Sequence, residues 1–517
     1  MNTKSLAHAA LSLAALHLAP GLRAQYAPPP APGPSAGFLN QELHAWDPSS
    51  SHWDLGGSLR VRYEVRENHL AAPANNDFAP RSLRVPATSA TVVPVANDNA
   101  FVADKLLVRV GYTEMWWSVR VEGRSSSVTG DRRGSAPNVA TGSSPESDGP
   151  IDLHQGYVVL GDLHQFPLTL KAGRQELSYG DERLIGAFAW NNIGRVFDGA
   201  KLRWQTAAFG VDAFATRLVV PDDNGINRSS DYEHFSGLYF DTAKIPGVLT
   251  EAYVLSRNVG PGAATWSAPF TTPAPYNPSA RDIYTLGGRM KSSTNGWHGV
   301  DATLEGAAQF GNWKRPATGI RPGQRDEQRA FALSAQVGYT FKEVPARPRL
   351  AVEYNFASGD HDPNDGTHGT FDNLYPTNHR FYGYMDLASW QNLHNVRAIA
   401  QCRPHPKVSL AAEGHLFWLA DAQDRFYSVS GAPRAGGVVN GVDTGAAGSG
   451  YGYGVNPGYD RFVGGEVDLI AGLAVTRFAT WEAGYGHFFR GAYIVDTFSK
   501  AGSQDADWIF TQLTVRF

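Results

Sequence analysis

One short segment of the chain concentrates residue types that do chemistry. The segment AGRQELSYGDERLIG, residues 172–186, sets two arginines and three carboxylates between glycines: Arg174, Glu176, Asp181, Glu182 and Arg183. A phosphate cradle needs a glycine-rich turn that opens a helix, and the glycine spacing in this segment does not match. A catalytic loop needs a matched nucleophile, acid or base, and none occurs in this segment. Two interpretations stay open: an arginine–carboxylate network that anchors a loop, or side chains that contact a solute.

A second acidic segment is more typical of a turn than of a metal site. In SGDHDPNDGT, residues 358–367, Asp360, Asp362 and Asn364 stand at alternate positions, as at the start of a calcium loop. The glycine comes one place late, and a phenylalanine stands where the closing glutamate belongs. Asp-Pro-Asn-Asp-Gly is ordinary turn chemistry. Three histidines share this region without a metal-ligand spacing: His361, His368 and His379. We therefore expect no metal, no cofactor and no enzymatic activity.

The elements that must position these residues follow from an alternation of apolar and polar residues. SLRVRYEVR places Leu59, Val61 and Tyr63 on one face and Arg60 and Arg62 on the other, and water must meet so charged a face. Similar segments recur to the C-terminus. They predict eighteen strands, starting near residues 56, 104, 116, 153, 167, 197, 209, 234, 248, 283, 300, 330, 349, 395, 408, 462, 478 and 507.

The connections between these strands alternate between long and short. The long ones cover 67–103, 125–151, 175–195, 258–281, 313–328, 359–394, 421–460 and 490–506. A β-sandwich has no reason to sort loop lengths in this way, whereas a membrane barrel has short periplasmic turns and long extracellular loops. The chain ends in Phe517, as outer-membrane barrel proteins often end in an aromatic residue. We predict an all-β fold: a transmembrane antiparallel β-barrel of about 18 strands, one domain over residues 54–517.

Composition and the N-terminus agree with export to the outer membrane of a Gram-negative cell. Residues 1–24 carry Lys4 followed by an apolar stretch, as in a cleaved signal peptide, and residues 25–53 form a Pro/Ala/Gly-rich linker. No later stretch is apolar for the roughly 18 residues of a membrane-spanning helix. The net charge of -4 and the absence of Lys/Arg-rich runs argue against nucleic acid as a partner. The single cysteine, Cys402, excludes an intrachain disulfide.

The charges on the predicted inward faces divide into two groups. The first six strands are mainly basic, with Lys105 and Lys201 among their cations, and the residues expected to contact solute are Arg60, Arg62, Arg109, Arg120, Arg124, Lys171, Arg174 and Arg203. Arg174 turns towards the lumen only if Gly173 forms a bulge. Later strands are mostly acidic and predict an opposing wall of Glu305, Glu353, Glu413, Glu466, Asp468 and Glu482. We expect five residues at the pore mouth: Glu176, Asp181, Glu182, Arg183 and Arg195. Opposed rows of this kind produce a transverse field in a channel.

Aromatic residues outside this pattern have two interpretations. The segment NLYPTNHRFYGYMDLASW, residues 373–390, could stack on sugar rings or narrow the channel, or it packs against neighbouring loops. Five tryptophans are expected in the aromatic girdles at the membrane interfaces: Trp116, Trp117, Trp418, Trp481 and Trp508.

Two blocks of the sequence carry a family resemblance. AGRQELSYGDERLIGAFAWNNIGRVFDGAKLRW (172–204) and FDNLYPTNHRFYGYMDLASWQN (371–392) resemble the alginate-export family of outer-membrane porins. The barrel pattern extends the likeness from about residue 50 to the end. The resemblance implies a monomeric eighteen-stranded barrel whose arginine-bearing pore passes anionic polysaccharide or related sugars.

These observations lead to one main hypothesis and two alternatives. The main hypothesis is an outer-membrane channel for passive passage or export of an acidic oligo- or polysaccharide such as alginate. The alternatives are a general small-solute porin with a mixed-charge lumen and a closed-barrel surface scaffold. The expected partners are outer-membrane lipid, lipopolysaccharide, the barrel-assembly machinery and the acidic saccharide.

Overall fold

The fold is taken from a computed structural model of the chain. It describes residues 37–69, 78, 82–84, 93–95, 98–131, 146–162, 166–222, 225–263, 279–293, 297–315, 321–434, 438–439, 442–443, 448–450, 452–500 and 502–517. The predicted signal peptide and the proline-rich part of the predicted linker, up to residue 36, lie outside the described residues.

Within the described residues, eighteen antiparallel strands form one closed barrel, as predicted. Each strand pairs with its neighbour in the chain, and the last strand returns to the first, with Leu59 opposite Val515. The strands are β1 Trp53–Glu67, β2 Asn99–Thr113, β3 Trp117–Thr129, β4 Asp148–Leu160, β5 Leu168–Gln175, β6 Phe197–Gln205, β7 Gly210–Val220, β8 Arg228–Thr242, β9 Val248–Val259, β10 Arg281–Ser292, β11 Val300–Lys314, β12 Arg325–Thr340, β13 Arg349–Ala357, β14 Leu393–His405, β15 Val408–Leu419, β16 Phe462–Ala474, β17 Ala479–Arg490 and β18 Ala506–Arg516.

Smaller elements lie in the connections. Two short antiparallel pairs join Ser82–Arg84 to Val93–Val95 and Val438–Val439 to Val442–Asp443, and Thr367–His368 pairs in parallel with β12. A short helix spans Ala492–Thr497, and a 3-10 turn spans Asn378–Arg380. In the described part of the chain, no helix has the length and apolar character needed to cross a membrane.

The alternation sorts the strand faces as the sequence predicts. On β1, Leu59 and Val61 are about 40% exposed on the outer surface (39% and 42%), whereas Arg62 and Glu64 are fully buried on the inner face. Apolar side chains outside and polar side chains inside are what a barrel surrounded by lipid requires. The short turns gather at one end, which we call the periplasmic end, and the long loops at the other.

The region assigned to a linker contains structure. The helix α1, Phe38–Trp46, is followed by a 3-10 turn at Pro48–His52, and β1 begins directly after it at Trp53. The Phe38 ring lies 5.8 Å from that of Phe478 and 6.4 Å from that of Phe517. The side chain of Asn40 accepts a 3.0 Å hydrogen bond from the backbone of Leu55. The proline-rich composition on which the linker prediction rests lies before this helix.

Two long extracellular loops fold into the barrel. Loop A, residues 176–196, and loop B, residues 358–392, supply many of the apolar side chains that pack with inward residues of the strands in one cluster. Leu177 and Ile185 of loop A and Tyr382 and Trp390 of loop B are all almost fully buried. The extracellular half of the lumen is therefore packed like a protein core.

Candidate pore and its charged lining

Loops A and B are joined by backbone hydrogen bonds. Gly186 donates to the Tyr375 carbonyl at 2.8 Å, and Tyr375 donates to that of Leu184 at 2.9 Å. Thr377 completes the ladder with a 2.8 Å bond to the Glu182 carbonyl. A Cβ atom at Gly186 would collide with the Thr377 hydroxyl, so glycine is required for this close approach. The two blocks that carry the family resemblance therefore form one internal unit.

Arg183 connects that unit to the barrel wall. Its guanidinium donates to Glu353 on β13 at 2.7 Å and to Asn355 at 3.1 Å, and it lies 4.0 Å from the centre of the Phe381 ring. Burial lowers the pKa of Arg183, but Glu353, Tyr382 and Glu305 together outweigh it and the net pKa is raised. This buried ion pair fixes loop A against the wall, which agrees with the anchoring interpretation for this arginine.

Three other predicted mouth residues also bind neighbouring elements. Asp181 accepts a hydrogen bond from Lys291 on β10 at 2.7 Å, and the guanidinium of Arg289 on the same strand lies 2.8 Å away. Burial raises the pKa of Asp181, but these two cations outweigh it and the net pKa is lowered. Glu182 accepts a 2.6 Å hydrogen bond from the Thr377 hydroxyl, and Arg195 donates to the Pro376 carbonyl at 2.9 Å.

Most arginines predicted to contact solute are buried and paired with carboxylates. Arg62 bonds Glu64 at 2.7 Å and Glu146 at 3.0 Å. The other pairs are Arg109 with Asp54, Arg120 with Glu122, Arg124 with Asp148, Arg174 with Asp198, and Arg203 with Asp212 and Asp241. A carboxylate within hydrogen-bond distance neutralises much of an arginine's attraction for an anion. Contact between these arginines and a solute stays a prediction.

The basic wall also holds loop A through its backbone. Arg60 donates to the Ala189 carbonyl at 3.0 Å, and Lys105 donates to the Asn191 carbonyl at 2.8 Å. Arg62 donates to the Trp190 carbonyl at 2.6 Å and its guanidinium lies 4.2 Å from the centre of the Trp190 ring. Some cations of the basic wall therefore position loop A.

Five cations on β2, β3, β5 and β6 remain partly exposed on the inner face, and one of them, Arg203, is bonded to two carboxylates. We call Lys105, Arg120, Lys171 and Lys201 the basic lane. Among the described residues, Lys105 and Lys171 have no carboxylate oxygen within 4 Å, and Lys171 lies 3.7 Å from the centre of the Tyr157 ring. Lys171 faces Lys201 directly across β5 and β6. Lys105 and Lys201 were not among the predicted solute contacts, although the alternation of their strands already indicates that they point inward.

Glu176 lies beside this lane. It follows directly after β5 and accepts a 2.9 Å hydrogen bond from His154, and its side chain is 36% exposed. Burial raises the pKa of Glu176, but the His154 hydrogen bond and the charges of Lys105 and Lys171 outweigh it, so the net pKa is lowered. The protein thus places its own carboxylate where the surrounding charge favours an anion.

The six residues of the predicted acidic wall lie on the inner faces of β11 to β17. Glu353 and Glu413 are neutralised by Arg397, which lies 2.8 Å from Glu413 through its Nε. Glu305 accepts a 3.1 Å bond from Tyr253, Glu466 accepts from the Met385 backbone at 2.9 Å, and Glu482 accepts from Gln512. Asp468 is fully buried next to Glu413 in the β15–β16 register. This side of the barrel also carries arginines such as Arg289 and Arg349, so the opposed basic and acidic rows stay a prediction.

Two expectations about individual side chains are wrong. The pairing of β5 with both neighbours runs through Gly173 without a register shift, so there is no bulge, although φ of Gly173 is +126°. Trp508 is not an interfacial girdle residue: it is 1% exposed, and its indole nitrogen donates to Glu64 at 3.0 Å. Its neighbour Ile509 faces outward, and alternation places Trp508 in the lumen.

The aromatic segment of loop B and the histidines have packing roles. The His379 ring stacks on that of Trp190 at 4.0 Å, and the His368 ring stacks on that of Trp313 at 4.2 Å. The His361 ring shares a 2.8 Å hydrogen bond with Asp421. In the part of the chain that the structure describes, no three His, Cys, Asp or Glu side chains are arranged to hold a metal ion.

Comparison with known proteins agrees with this architecture. The model of the family described as "Alginate export" matches residues 51–509. A search of curated protein sequences finds no match. Among solved structures, OccK7 (OpdD) of Pseudomonas aeruginosa has a TM-score of 0.50 at 11% identity, covering 90% of this chain and 98% of that chain. OccAB4 of Acinetobacter baumannii has a TM-score of 0.49 at 10% identity, with coverage of 90% and 98%. At these identities, the OccK7 likeness shows the fold alone.

Proposed function

Since this chain belongs to the alginate export family and forms an outer-membrane barrel channel, we propose that it passes anionic saccharides passively along the basic lane. No cofactor or energy source takes part in this mechanism. The solute diffuses down its gradient, and its carboxylates exchange between successive cations. Family membership supports a saccharide as the solute, and the cations of the basic lane support a solute of negative charge.

The observation that carries the proposal is that Lys105 and Lys171 lie on the inner face without a carboxylate partner among the described residues. Both side chains are partly exposed, and no carboxylate of the described residues lies within 4 Å of either ammonium group. A positive site in a narrow channel lowers the barrier for anions and raises it for cations. The lowered pKa of Glu176, which these lysines help to produce, is the response of a resident carboxylate to the same field.

The lane supports weak, repeated binding rather than tight capture. Its cations lie on β2, β3, β5 and β6, on one side of the barrel, so a polyuronate chain can move from one to the next without losing all its contacts. Conduction requires sites that are favourable enough to enter and weak enough to leave. A single buried arginine with an unpaired charge would instead hold the first carboxylate that reached it.

A general small-solute porin is the second candidate, and a specific observation favours it. Most lumen arginines, on both sides of the barrel, already have carboxylate partners, as in Arg109 with Asp54 and Arg397 with Glu413. A lumen neutralised in this way would select by size. The two candidates differ in the expected response to solute charge.

Swelling of proteoliposomes distinguishes them. Vesicles containing the full-length protein are placed in isosmotic solutions of di- and trigalacturonate or of maltose and maltotriose, which match them in size. We expect faster swelling with the acidic sugars, and slower uptake of those sugars alone by the Lys171→Gln/Lys201→Gln variant. Equal rates for acidic and neutral sugars would assign the chain to the general porins, and no swelling with any sugar would indicate a closed barrel.

A further inference from the structure

An apolar groove lies on the outer surface of the barrel. The groove has a volume of about 700 Å³ and crosses five strands, β14 to β18, with Leu350 of β13 at its edge. Volumes of a few hundred to about 1,000 Å³ are typical of ligand sites in proteins.

Small side chains form the floor of the groove. Ala400 faces Ala412 across β14 and β15, and Ala471 faces Ala483 across β16 and β17. Large apolar side chains project around them, with Leu410 42% and Leu469 51% exposed. All six positions alternate with inward residues and therefore face the membrane. The indole nitrogen of Trp481 donates to the Thr511 hydroxyl at 2.9 Å, so this polar group is satisfied within the groove.

The periplasmic turns below the groove carry a cluster of positive charge. The exposed cations at these turns are Arg347, Arg403, Lys407 and Arg477, with Lys342 beside them and Glu343 as the acidic residue of the same three turns. In the described residues of the other five short turns, Lys244 is the one cation, and Glu114 and Asp162 are acidic. Positive charge and apolar cavity therefore coincide on one side of the barrel.

We propose that this groove binds one glycerophospholipid of the periplasmic leaflet. An acyl chain lies over the alanine floor, and the headgroup phosphate is bound by Arg403, Lys407 and Arg477. Basic pockets at the edge of an apolar membrane surface recognise anionic lipid headgroups in this way. When the acyl chain moves from the surrounding lipid into the groove, each of its methylenes packs against a preformed protein surface instead of against a mobile lipid chain.

The shape of the groove favours a lipid over a second copy of the chain. A stable protein interface buries about 800 Å² on each partner, whereas a narrow recess with a positive charge at one end suits an acyl chain and its phosphate headgroup. The recess is close to the periplasmic turns: Leu410 follows Lys407 by three residues, and Trp481 follows Arg477 by four. These short separations allow an acyl chain in the recess and a headgroup at the turns to belong to one phospholipid.

Native mass spectrometry of the full-length protein tests the proposal. Protein released from outer membranes in a mild detergent is measured with and without added phosphatidylglycerol. We expect a population that retains one phospholipid. The Ala471→Leu/Ala483→Leu variant fills the groove and should retain about tenfold less, since filling removes apolar contact along several methylenes. The Arg403→Gln/Lys407→Gln/Arg477→Gln variant should also lose the lipid.

Matched controls separate the groove from general surface effects. Ala252→Leu adds the same bulk to an outward alanine on β9, and Lys244→Gln removes a cation from a distant turn. Both should retain the lipid as the unchanged protein does. Unchanged channel conductance of every variant shows that the barrel is folded. The proposal is overturned if the unchanged protein retains no phospholipid, if it retains lipopolysaccharide or a second copy instead, or if the filled groove retains as much lipid as the controls.

Discussion

Lys171 and Lys201 occupy directly opposed positions on β5 and β6, and both side chains are partly exposed on the inner face of the barrel. Like charges directly opposite each other destabilise a sheet. Nearby ring faces offset part of this cost, since the Lys171 ammonium lies 3.7 Å from the centre of the Tyr157 ring. Lys201 also lies 3.4 Å from Asp212, so Lys171 is the member of the pair without a carboxylate partner among the described residues.

Removing the lysine pair should reduce anion selectivity. In Lys171→Gln or Lys201→Gln, the ratio of anion to cation permeability should fall by about fivefold per residue, since one unit charge at close range in water contributes about 1 kcal/mol. The reversal potential in a potassium chloride gradient measures this ratio. Lys244→Gln, in a periplasmic turn, is the matched control and should leave it unchanged. An unchanged reversal potential in both lane variants would mean that these lysines do not face the conducting path.

Two neighbouring arginines on β3 should respond differently to reversal of charge. Arg120 is partly exposed, so Arg120→Glu should give a folded channel with lower anion preference. Arg124 is almost fully buried and bonded to Asp148 and to the Ile193 carbonyl, the latter at 2.7 Å. Arg124→Glu should therefore cost about 3–5 kcal/mol and reduce folding. Yield of folded barrel and reversal potential are measured together, and a well-folded Arg124→Glu barrel would contradict the buried position of this side chain.

Loop A should loosen when its bond to the wall is removed. Arg183→Ala leaves Glu353 buried with only Arg397 as a cationic partner, and the resulting cost of about 3–5 kcal/mol should favour states in which the loop is displaced. We expect higher single-channel conductance and more frequent transitions between levels. Arg183→Lys should recover part of the normal current. Constant conductance in Arg183→Ala with a folded barrel would show that loop A does not restrict flow.

Loop B contacts residues 421–434 where the Asp360 backbone donates to Asp424 at 3.0 Å, and this contact should weaken as pH rises. Burial, followed by the nearby charge of Asp424, raises the pKa of Asp360 to about 6. A carboxyl whose pKa is raised by folding favours the protonated state, so its contribution to stability falls as pH rises from about 4 to about 6. The change is on the order of 1–3 kcal/mol. Hydrogen exchange of residues 421–434, corrected for the intrinsic rate, should therefore show more frequent opening at pH 7.5 than at pH 5.

Two variants test whether the Asp360 carboxyl causes this pH effect. Asp360→Asn removes one carboxyl that titrates and should reduce the dependence of the opening on pH. Asp365→Asn changes an exposed carboxylate of the same loop and should keep the dependence. Opening that is less frequent at pH 7.5 than at pH 5 in the unchanged protein would refute the expected sign of the pH effect.

The barrel was predictable from sequence because its signal is local. Alternation predicts that Arg62 points inward and Val61 outward, and the alternation of long and short loops predicts which end of each strand is extracellular and which is periplasmic. The same alternation assigns Trp508 to the lumen, whereas the general tendency of tryptophans to lie at membrane interfaces predicts the opposite and is wrong for this residue. Strand parity is therefore the more reliable guide at this position.

The pairing of charges was not predictable, because it depends on contacts between distant parts of the chain. Arg183 and Glu353 are 170 residues apart, and no local pattern relates them. Asp54, Asp148 and Asp198 neutralise three of the arginines expected to contact solute. Each of these pairs depends on the register between strands or on the path of a loop. The lysines of the lane stand out only after these pairs have been assigned.

Block of single channels by oligosaccharides tests the central claim most directly. The full-length protein in a planar bilayer is exposed in turn to oligomannuronate, oligogalacturonate and maltooligosaccharides of equal length. We predict brief, concentration-dependent block by the two acidic oligomers, little block by the neutral one, and weaker acidic block in Lys171→Gln/Lys201→Gln. Equal block by acidic and neutral oligomers, or acidic block that is unaffected by loss of the two lysines, would contradict an anionic path along the basic lane.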